Sequence, residues 1–462
     1  MNIRNIIISA TAATALAATL TGCNMYGKFK MPTDTQLTAD YDAARCAEID
    51  SMAFGNLRWQ AVFTDPVLVD LIYQALDNNK DLANAKLNVD IAHAQLLGAK
   101  LSYLPSLAFT PNGAGAKYAS NDFGWTYQIP LAASWEIDVF GKILNTKRGA
   151  AAAYRQAEDY RQAVRSQIIG AVANCYYTIA SLQSQLQLNR TTAELWAESV
   201  QTMRDLKEAG RVTEAAVVQS NAQYYNILAA ITQIEVSLHE MNNTMSLLMN
   251  VMPQTWVVSD DAKLVAPEIR RESVPMRELA ARPDVRAAEE SLAAAYYTTA
   301  GARSAFYPSI NISANGGFTN LLGSFISNPG DWFIQLAGQL TAPLFSRGAN
   351  IARLKAAKAQ QQQALNNFEY AVMSAAAEVS DALTVYEKNA EKIGYVDKQV
   401  EALAQAVEIN QELLAWGGST TTYLEVLTAQ QSLLAAQTAQ IECRRASAQA
   451  VISLYQSLGG GR

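Results

Sequence analysis

The chain has 462 residues, 50% hydrophobic and only 17% charged, with 36 Lys and Arg against 42 Asp and Glu for a formal net charge of −6. That length allows more than one folding unit, the apolar content excludes disorder, and the scattered basic residues offer no patch for nucleic acid. Two His (His93, His239) and four Cys (Cys23, Cys46, Cys175, Cys443) are too dispersed for a zinc, haem or iron–sulfur site, so no metal or cofactor is expected.

Met1-Asn2-Ile3-Arg4 is a short cationic start, and Ile6 to Leu20 is an apolar run with the dimensions of a signal-peptide core, too short to span a membrane. Leu20-Thr21-Gly22-Cys23 follows the pattern of a bacterial lipobox. Residues 1–22 therefore read as a lipoprotein signal peptide and Cys23 as the lipidated first residue of an exported chain. Acyl chains contribute roughly 0.8 kcal/mol per buried CH₂, so a multiply acylated Cys23 is a lasting anchor. No other stretch has the apolar length of a spanning helix, which leaves β-strands as the only way for this chain to cross a bilayer.

Residues 23–80 are mixed, Pro-containing sequence and read as a tail followed by an equatorial segment. A repeat then begins. Asp81, Ala85, Ala99, Pro105-Ser106 and Asn112-Gly113 recur as Asp284, Ala288, Ala302, Pro308-Ser309 and Asn315-Gly316, and Gly141, Gly210 and Ala222-Gln223 recur as Gly348, Gly417 and Ala429-Gln430. Residues 81–250 and 284–458 read as two copies of one plan: helix, β pair, very long helix, glycine break, returning helix. Residues 251–283 form a second equatorial segment, Pro253 ends the first returning helix, and residues 459–462 form a frayed tail.

Within the β pairs, Trp125, Tyr127, Ile129 and Leu131 alternate with Thr126, Gln128, Pro130 and Ala132; Ile334, Leu336, Gly338 and Leu340 alternate with Gln335, Ala337, Gln339 and Thr341. One face is apolar and the other polar or small, as in a membrane barrel, with Trp125, Tyr127, Trp332 and Phe333 available as interfacial aromatics. Four strands cannot close a barrel of about eight or more, so several copies must share one. Lys142 to Ala209 and Ala349 to Trp416 contain no Pro, and each would reach about 100 Å as a straight helix. They need helical partners along their length, which the shorter helices supply end to end as antiparallel coiled coil. Cys175 and Cys443 differ in height along these helices by about 15 Å, beyond the roughly 6 Å Cα reach of a disulfide.

Several tracts resemble the TolC-like outer-membrane factors, and among them the efflux lipoproteins of tripartite pumps. The matching residues are Trp59, Phe63-Thr64-Asp65-Pro66, Leu71-Ile72, Asn79-Lys80-Asp81-Leu82, Leu104-Pro105-Ser106, Tyr307-Pro308-Ser309, Ser134 to Gly141, Pro343-Leu344-Phe345, and Tyr423 to Leu427 before Ala429-Gln430. The resemblance implies a mainly α fold with membrane β: an antiparallel α-helical barrel continued by a twelve-stranded barrel, four strands from each chain of a homotrimer. It implies an outer-membrane exit duct that passively conducts drugs, toxic small molecules or metal ions delivered by an inner-membrane RND-type transporter and a periplasmic membrane-fusion adaptor.

By the same resemblance Gly210, Arg211, Val212 and Thr213, and Gly417, Gly418 and Ser419, form periplasmic tips that contact the adaptor. Glu214 and Glu425 are the candidate tip acids for a constriction, and Thr428 stands where the family often has Asp, which puts an aspartate ring at that position in doubt. An enzyme is disfavoured: no nucleophile elbow, phosphate loop or metal spacing occurs, and His93 and His239 lie in helical sequence as structural residues. The alternatives are a type I protein-secretion channel and a non-channel helical lipoprotein.

Overall fold

A computed structural model describes residues 26–45, 57–117, 123–259, 276–319, 331–415 and 423–461. The signal segment, Cys23, Cys46 and the second glycine turn with Gly417, Gly418 and Ser419 lie outside the described residues. In chain order the elements are α1 (Gln36–Arg45), α2 (Trp59–Val62), α3 (Pro66–Asn78), α4 (Lys80–Leu101), β1 (Ser106–Phe109), β2 (Asn112–Ala116), β3 (Gly124–Ile137), α5 (Lys142–Glu208), α6 (Glu214–Leu248), α7 (Met276–Ala280), α8 (Pro283–Ser304), β4 (Ser309–Thr319), β5 (Asp331–Thr341), α9 (Ala349–Ala415) and α10 (Tyr423–Ser457). Helices α4 and α8 have 22 residues each, α5 and α9 have 67, and α6 and α10 have 35. Among the described residues no helix is long and apolar enough to cross a membrane.

The chain forms two compact units. One comprises residues 1–39, 87–159 and 286–370, and the other residues 40–86, 160–285 and 371–462. The first holds the sheet, which is antiparallel throughout: β1 and β2 both pair with β3, β3 with β4, and β4 with β5. Phe109 faces Leu131 and Asn112 faces Gln128, so β1 and β2 are one strand column in unbroken register. The column is interrupted at Thr110-Pro111, opposite Pro130, because each Pro lacks the N–H a ladder needs; the Thr110 N–H still donates to the Pro130 carbonyl at 3.2 Å. Nearby, a small cluster of Ala152, Ala293 and Tyr297 receives Phe29, whose N–H donates to the Tyr297 hydroxyl at 3.0 Å.

The second unit holds the main core. Trp59, Phe63, Leu68, Leu71 and Ile72 from α2, α3 and the residues joining them pack on Ile169, Val172, Tyr176 and Ile179 of α5, Met245 of α6, and Ile452 and Tyr455 of α10. Polar residues of the quoted motifs lock this packing. Asp65 caps α3, accepting the Val67 N–H at 2.9 Å ahead of Pro66 at the first turn, and its other oxygen accepts the Tyr176 hydroxyl at 2.7 Å. Asn79 caps α4 through the Asp81 and Leu82 N–H groups and donates to the Leu248 carbonyl at 3.0 Å.

The structure corrects two sequence expectations. Helix α6 ends at Leu248, before Pro253: Asn250 adopts φ 53°, and the Val251 and Asn250 N–H groups return to the Ser246 and Leu247 carbonyls, which stops the helix without proline. The tail is not frayed, since Gly459, Gly460 and Gly461 are buried. Gln162 donates to the Gly461 carbonyl at 2.8 Å, and a Cβ on Gly460 would meet the Tyr455 ring at 2.5 Å, so only glycine lets the chain lie this close. His93 and His239 lie in helices α4 and α6, as their sequence context implies; both are exposed, His93 against Tyr154 and His239 beside Asn243 on its own helix.

Candidate functional site

Two surfaces carry the chemistry, the sheet and the helix turns. The register places Leu107, Phe109, Trp125, Tyr127, Ile129, Leu131, Trp135, Ile310, Ile312, Phe318, Trp332, Ile334, Leu336 and Leu340 on one face of the sheet. The opposite face carries Ser106, Asn112, Thr126, Gln128, Ser134, Glu136, Asn311, Ser313, Asn315, Gln335, Gln339 and Thr341. Phe333 stands on this polar face, opposite Gly317, rather than among the outer aromatics. Large apolar side chains are open to the surroundings: Trp332 is 73% exposed, Leu336 75% and Leu107 68%. An apolar patch of this extent marks contact with lipid or protein. Alternation of an apolar face with a face of hydroxyls and amides suits a wall between lipid and water.

At its tip, α5 ends in a Gly turn. Gly210 has φ 71°, the Arg211 N–H donates to the Leu206 carbonyl and the Gly210 N–H to the Lys207 carbonyl, both at 2.9 Å; a left-handed residue is required for this pairing. Val212 follows, and Thr213 occupies the cap position of α6 without a side-chain capping bond. Glu214 is exposed and ion-paired with Lys207 across the turn. On α10, Glu425 is exposed in the first turn and the Thr428 hydroxyl donates to the Leu424 carbonyl of its own helix at 2.8 Å. The returning helices are brought side by side: Tyr224, Ile227 and Leu228 of α6 cluster with Tyr423 and Leu427 of α10, and Gln431 donates to Gln223 at 3.4 Å.

Sequence reasoning missed an ionic knot built on a buried arginine. Arg282, 5% exposed, donates twice to Asp284 (3.0 and 2.6 Å), once to Glu378 (2.6 Å) and once to the Ser457 carbonyl (2.6 Å), beside a cleft of about 580 Å³. Burial opposes ionisation of Asp284, but Arg282 and backbone N–H groups outweigh it and hold the carboxyl below its usual range. The signal available in sequence was Arg282-Pro283-Asp284 at a helix start, whose partners lie about a hundred residues or more away. Elsewhere, Asp159 is buried against Arg286 at 2.7 Å and its carboxyl is raised to about 6, first by burial, with Arg286 opposing the rise. Cys175 and Cys443 are free and buried, and burial pushes the Cys175 thiol up to about 12. Among the described residues no group of three or more His, Cys, Asp or Glu side chains could hold a metal ion.

The sheet with one apolar and one polar face, joined to helices of 67 residues, defines an outer-membrane channel. The sequence model of the family described as "Outer membrane efflux protein" matches residues 71–251 and 274–460, and the chain belongs to that family. It is 28% identical over 460 residues to the cation efflux system protein CusC of Escherichia coli O6:H1, covering 96% of this chain and 97% of that protein. The probable outer membrane lipoprotein SilC of Salmonella typhimurium is 29% identical over 421 residues, 88% of this chain and 89% of SilC. The toluene efflux pump outer membrane protein TtgC of Pseudomonas putida is 27% identical over 468 residues, 96% of this chain and 93% of TtgC. Among solved structures, CusC superposes with a TM-score of 0.82 at 26% identity, covering 94% of this chain and 99% of that one. The outer-membrane channel OprN gives a TM-score of 0.82 at 25% identity, covering 94% and 98%. The chain is an outer-membrane efflux channel, and its family is one of transport proteins rather than enzymes.

Proposed function

We propose that three copies of this chain form an exit duct, each supplying the β1–β2 column, β3, β4 and β5 to a twelve-stranded barrel whose apolar face meets lipid and whose polar face lines water. The observation that carries this reading is the sheet itself. One face exposes Trp332, Leu336 and Leu107, and the four strand columns among the described residues are too few to close around a lumen. Equal helix lengths in pairs of 22, 67 and 35 residues support an internal duplication, which lets three chains approximate a six-fold wall. Cys23 is the lipidated residue in this reading. Its anchor adds to the hold of the sheet.

The Gly210–Thr213 turn, with its counterpart at Gly417, Gly418 and Ser419, is the docking tip for the hairpins of a periplasmic adaptor. An inner-membrane RND-type transporter supplies the energy. Glu214, Glu425 and Thr428 lie within about four turns of these tips and set the constriction there. Cargo is a cation or a small toxic organic molecule, the classes named for CusC and TtgC. Specificity belongs to the pump, because a polar duct lined by Ser, Asn, Gln and Thr has little means of discrimination.

Single-channel conductance in planar bilayers tests the reading, using purified lipidated protein whose mass has been measured in detergent. Discrete steps from a trimer are expected, and Glu425→Ala should enlarge them if the constriction lies at the second tip. A monomer that extracts without detergent and never conducts would overturn the proposal.

A further inference from the structure

Among the described residues the sheet ends on two edges, the β1–β2 column on one side and β5 on the other. An edge of this length with an apolar face is a template for another strand. The structure also contains a worked example of how such edges meet. Strand β3, which ends the first hairpin, pairs with β4, which begins the second, from Gln128 opposite Thr319 to Ile137 opposite Ile310. The two hairpins are offset copies: β1 starts at Ser106 and β4 at Ser309, 203 residues on, while β3 starts at Gly124 and β5 at Asp331, 207 residues on. The second displacement also relates α5 to α9, from Lys142 to Ala349.

Applying the two displacements to the β3–β4 join yields a second join of the same kind, between β5 of one copy and the β1–β2 column of the next. We infer that this intermolecular join sets Ala337 opposite Ala114 of the second copy, Gln339 opposite its Asn112, Thr341 opposite its Thr110 and Leu344 opposite its Leu107. This rests on the reading of the chain as a ring of identical copies, and deepens it to a register. A slip of one residue would turn every side chain to the wrong face. In this register Leu336 and Leu340 fall on the face of Leu107 and Phe109, and Gln339 and Thr341 on the face of Asn112.

A second observation points the same way. The counterpart of Ile137, the last residue of β3, is Leu344, yet β5 stops at Thr341. Ile137 is half-buried beside Ile310, and Phe140 just beyond it stacks on Tyr307 with ring centroids 5.0 Å apart. Leu344 and Phe345 are 97% and 86% exposed. Pro343, which has no N–H to give a ladder, ends β5 at Thr341, and the second copy in this register brings its Leu107 beside the uncovered Leu344.

Paired cysteines read the register. Opposed residues of an antiparallel pair have Cα atoms about 4.5–5.5 Å apart, within disulfide reach, whereas diagonal neighbours lie about 7–8 Å apart. The full-length chain carrying Ala114→Cys and Ala337→Cys is compared, in detergent after mild oxidation, with Asn112→Cys/Ala337→Cys and Ala114→Cys/Gln339→Cys. Conversion of the monomer band to a covalent ring is expected for the first, with loss of that conversion in the two displaced pairs and in each single variant. Mass and conductance of every variant under reduction establish that it folds. A reduced ring of normal mass that links best through a displaced pair, or through none, overturns the register and leaves the ring reading standing. A native chain that is only monomeric in detergent overturns both.

Discussion

Pro130 of β3 lies directly opposite Gly317 of β4, and a Cβ on that glycine would fall 2.1 Å from the Ile129 carbonyl oxygen and 2.8 Å from the Pro130 Cα. Both obstacles are backbone and neither can swing aside. Gly317→Ala is therefore expected to cost about 1–3 kcal/mol, with less heat-resistant oligomer in detergent gels. Gly316→Ala, whose nearest such neighbour is at 3.7 Å, is the control and should leave the oligomer intact.

The two faces of β5 predict opposite responses to charge. Leu336→Arg places a cation on the lipid face, where the cost reaches about 2–4 kcal/mol at mid-bilayer, so the yield of membrane-inserted protein should collapse. Gln335→Arg places the same charge on the polar face. Insertion should be normal, and the conductance should shift toward anion preference, read as a change in reversal potential under a salt gradient.

Arg282 is buried among carboxylates and the end of α10. Arg282→Met strips Asp284 and Glu378 of their partner. Because those carboxylates are half-exposed, the loss is expected at about 2–3 kcal/mol, below the full effect of breaking a buried pair. A lower thermal unfolding midpoint at pH 7, with little change in conductance of surviving channels, is the expected result.

Asp159 gives a pH signature. Burial raises its folded carboxyl from the ordinary aspartate range to about 6, so the folded state holds that proton more tightly than the unfolded chain. The group therefore lowers stability as pH rises from about 4 to about 6, and the loss is complete above that window, on the order of 2 kcal/mol. Asp159→Asn should flatten this part of the stability-against-pH curve measured by denaturant unfolding. An unchanged slope would assign the dependence to another group.

Lipidation predicts a mass. Intact protein from a bacterial host with lipoprotein processing should begin at Cys23 with added acyl mass, and Cys23→Ala should lack it. The variant should still require detergent for extraction, because the apolar sheet face is independent of the anchor.

Much of the architecture was legible because it is periodic. Alternation along Trp125–Leu131 and Ile334–Leu340 specified both faces of the sheet before any pairing was known, and unbroken stretches without Pro between Lys142 and Ala209 specified the long helices. Glycine also spoke locally: a left-handed turn at Gly210 follows from the need to close α5 at once. Signals of this kind depend on neighbours a few residues apart, so a linear reading suffices.

Other features needed the fold. Pro253 is the stop that the sequence offers for α6, but a left-handed Asn250 ends the helix first, through bonds that propensity does not announce. Gly459 to Gly461 read as loose chain, yet they are buried, and Tyr455 beside Gly460 and Ser166 beside Gly461 leave room only for glycine; Ser166 lies far away in sequence. Arg282 likewise acquires Glu378 and the Ser457 carbonyl only when α9 and α10 arrive. The sequence by itself determined the two-faced strands, the long helices and the glycine turns, since periodicity and turn chemistry are local. The tertiary structure alone decided the strand register, the burial of the terminal glycines and the charge network around Arg282, because each depends on which distant surfaces meet.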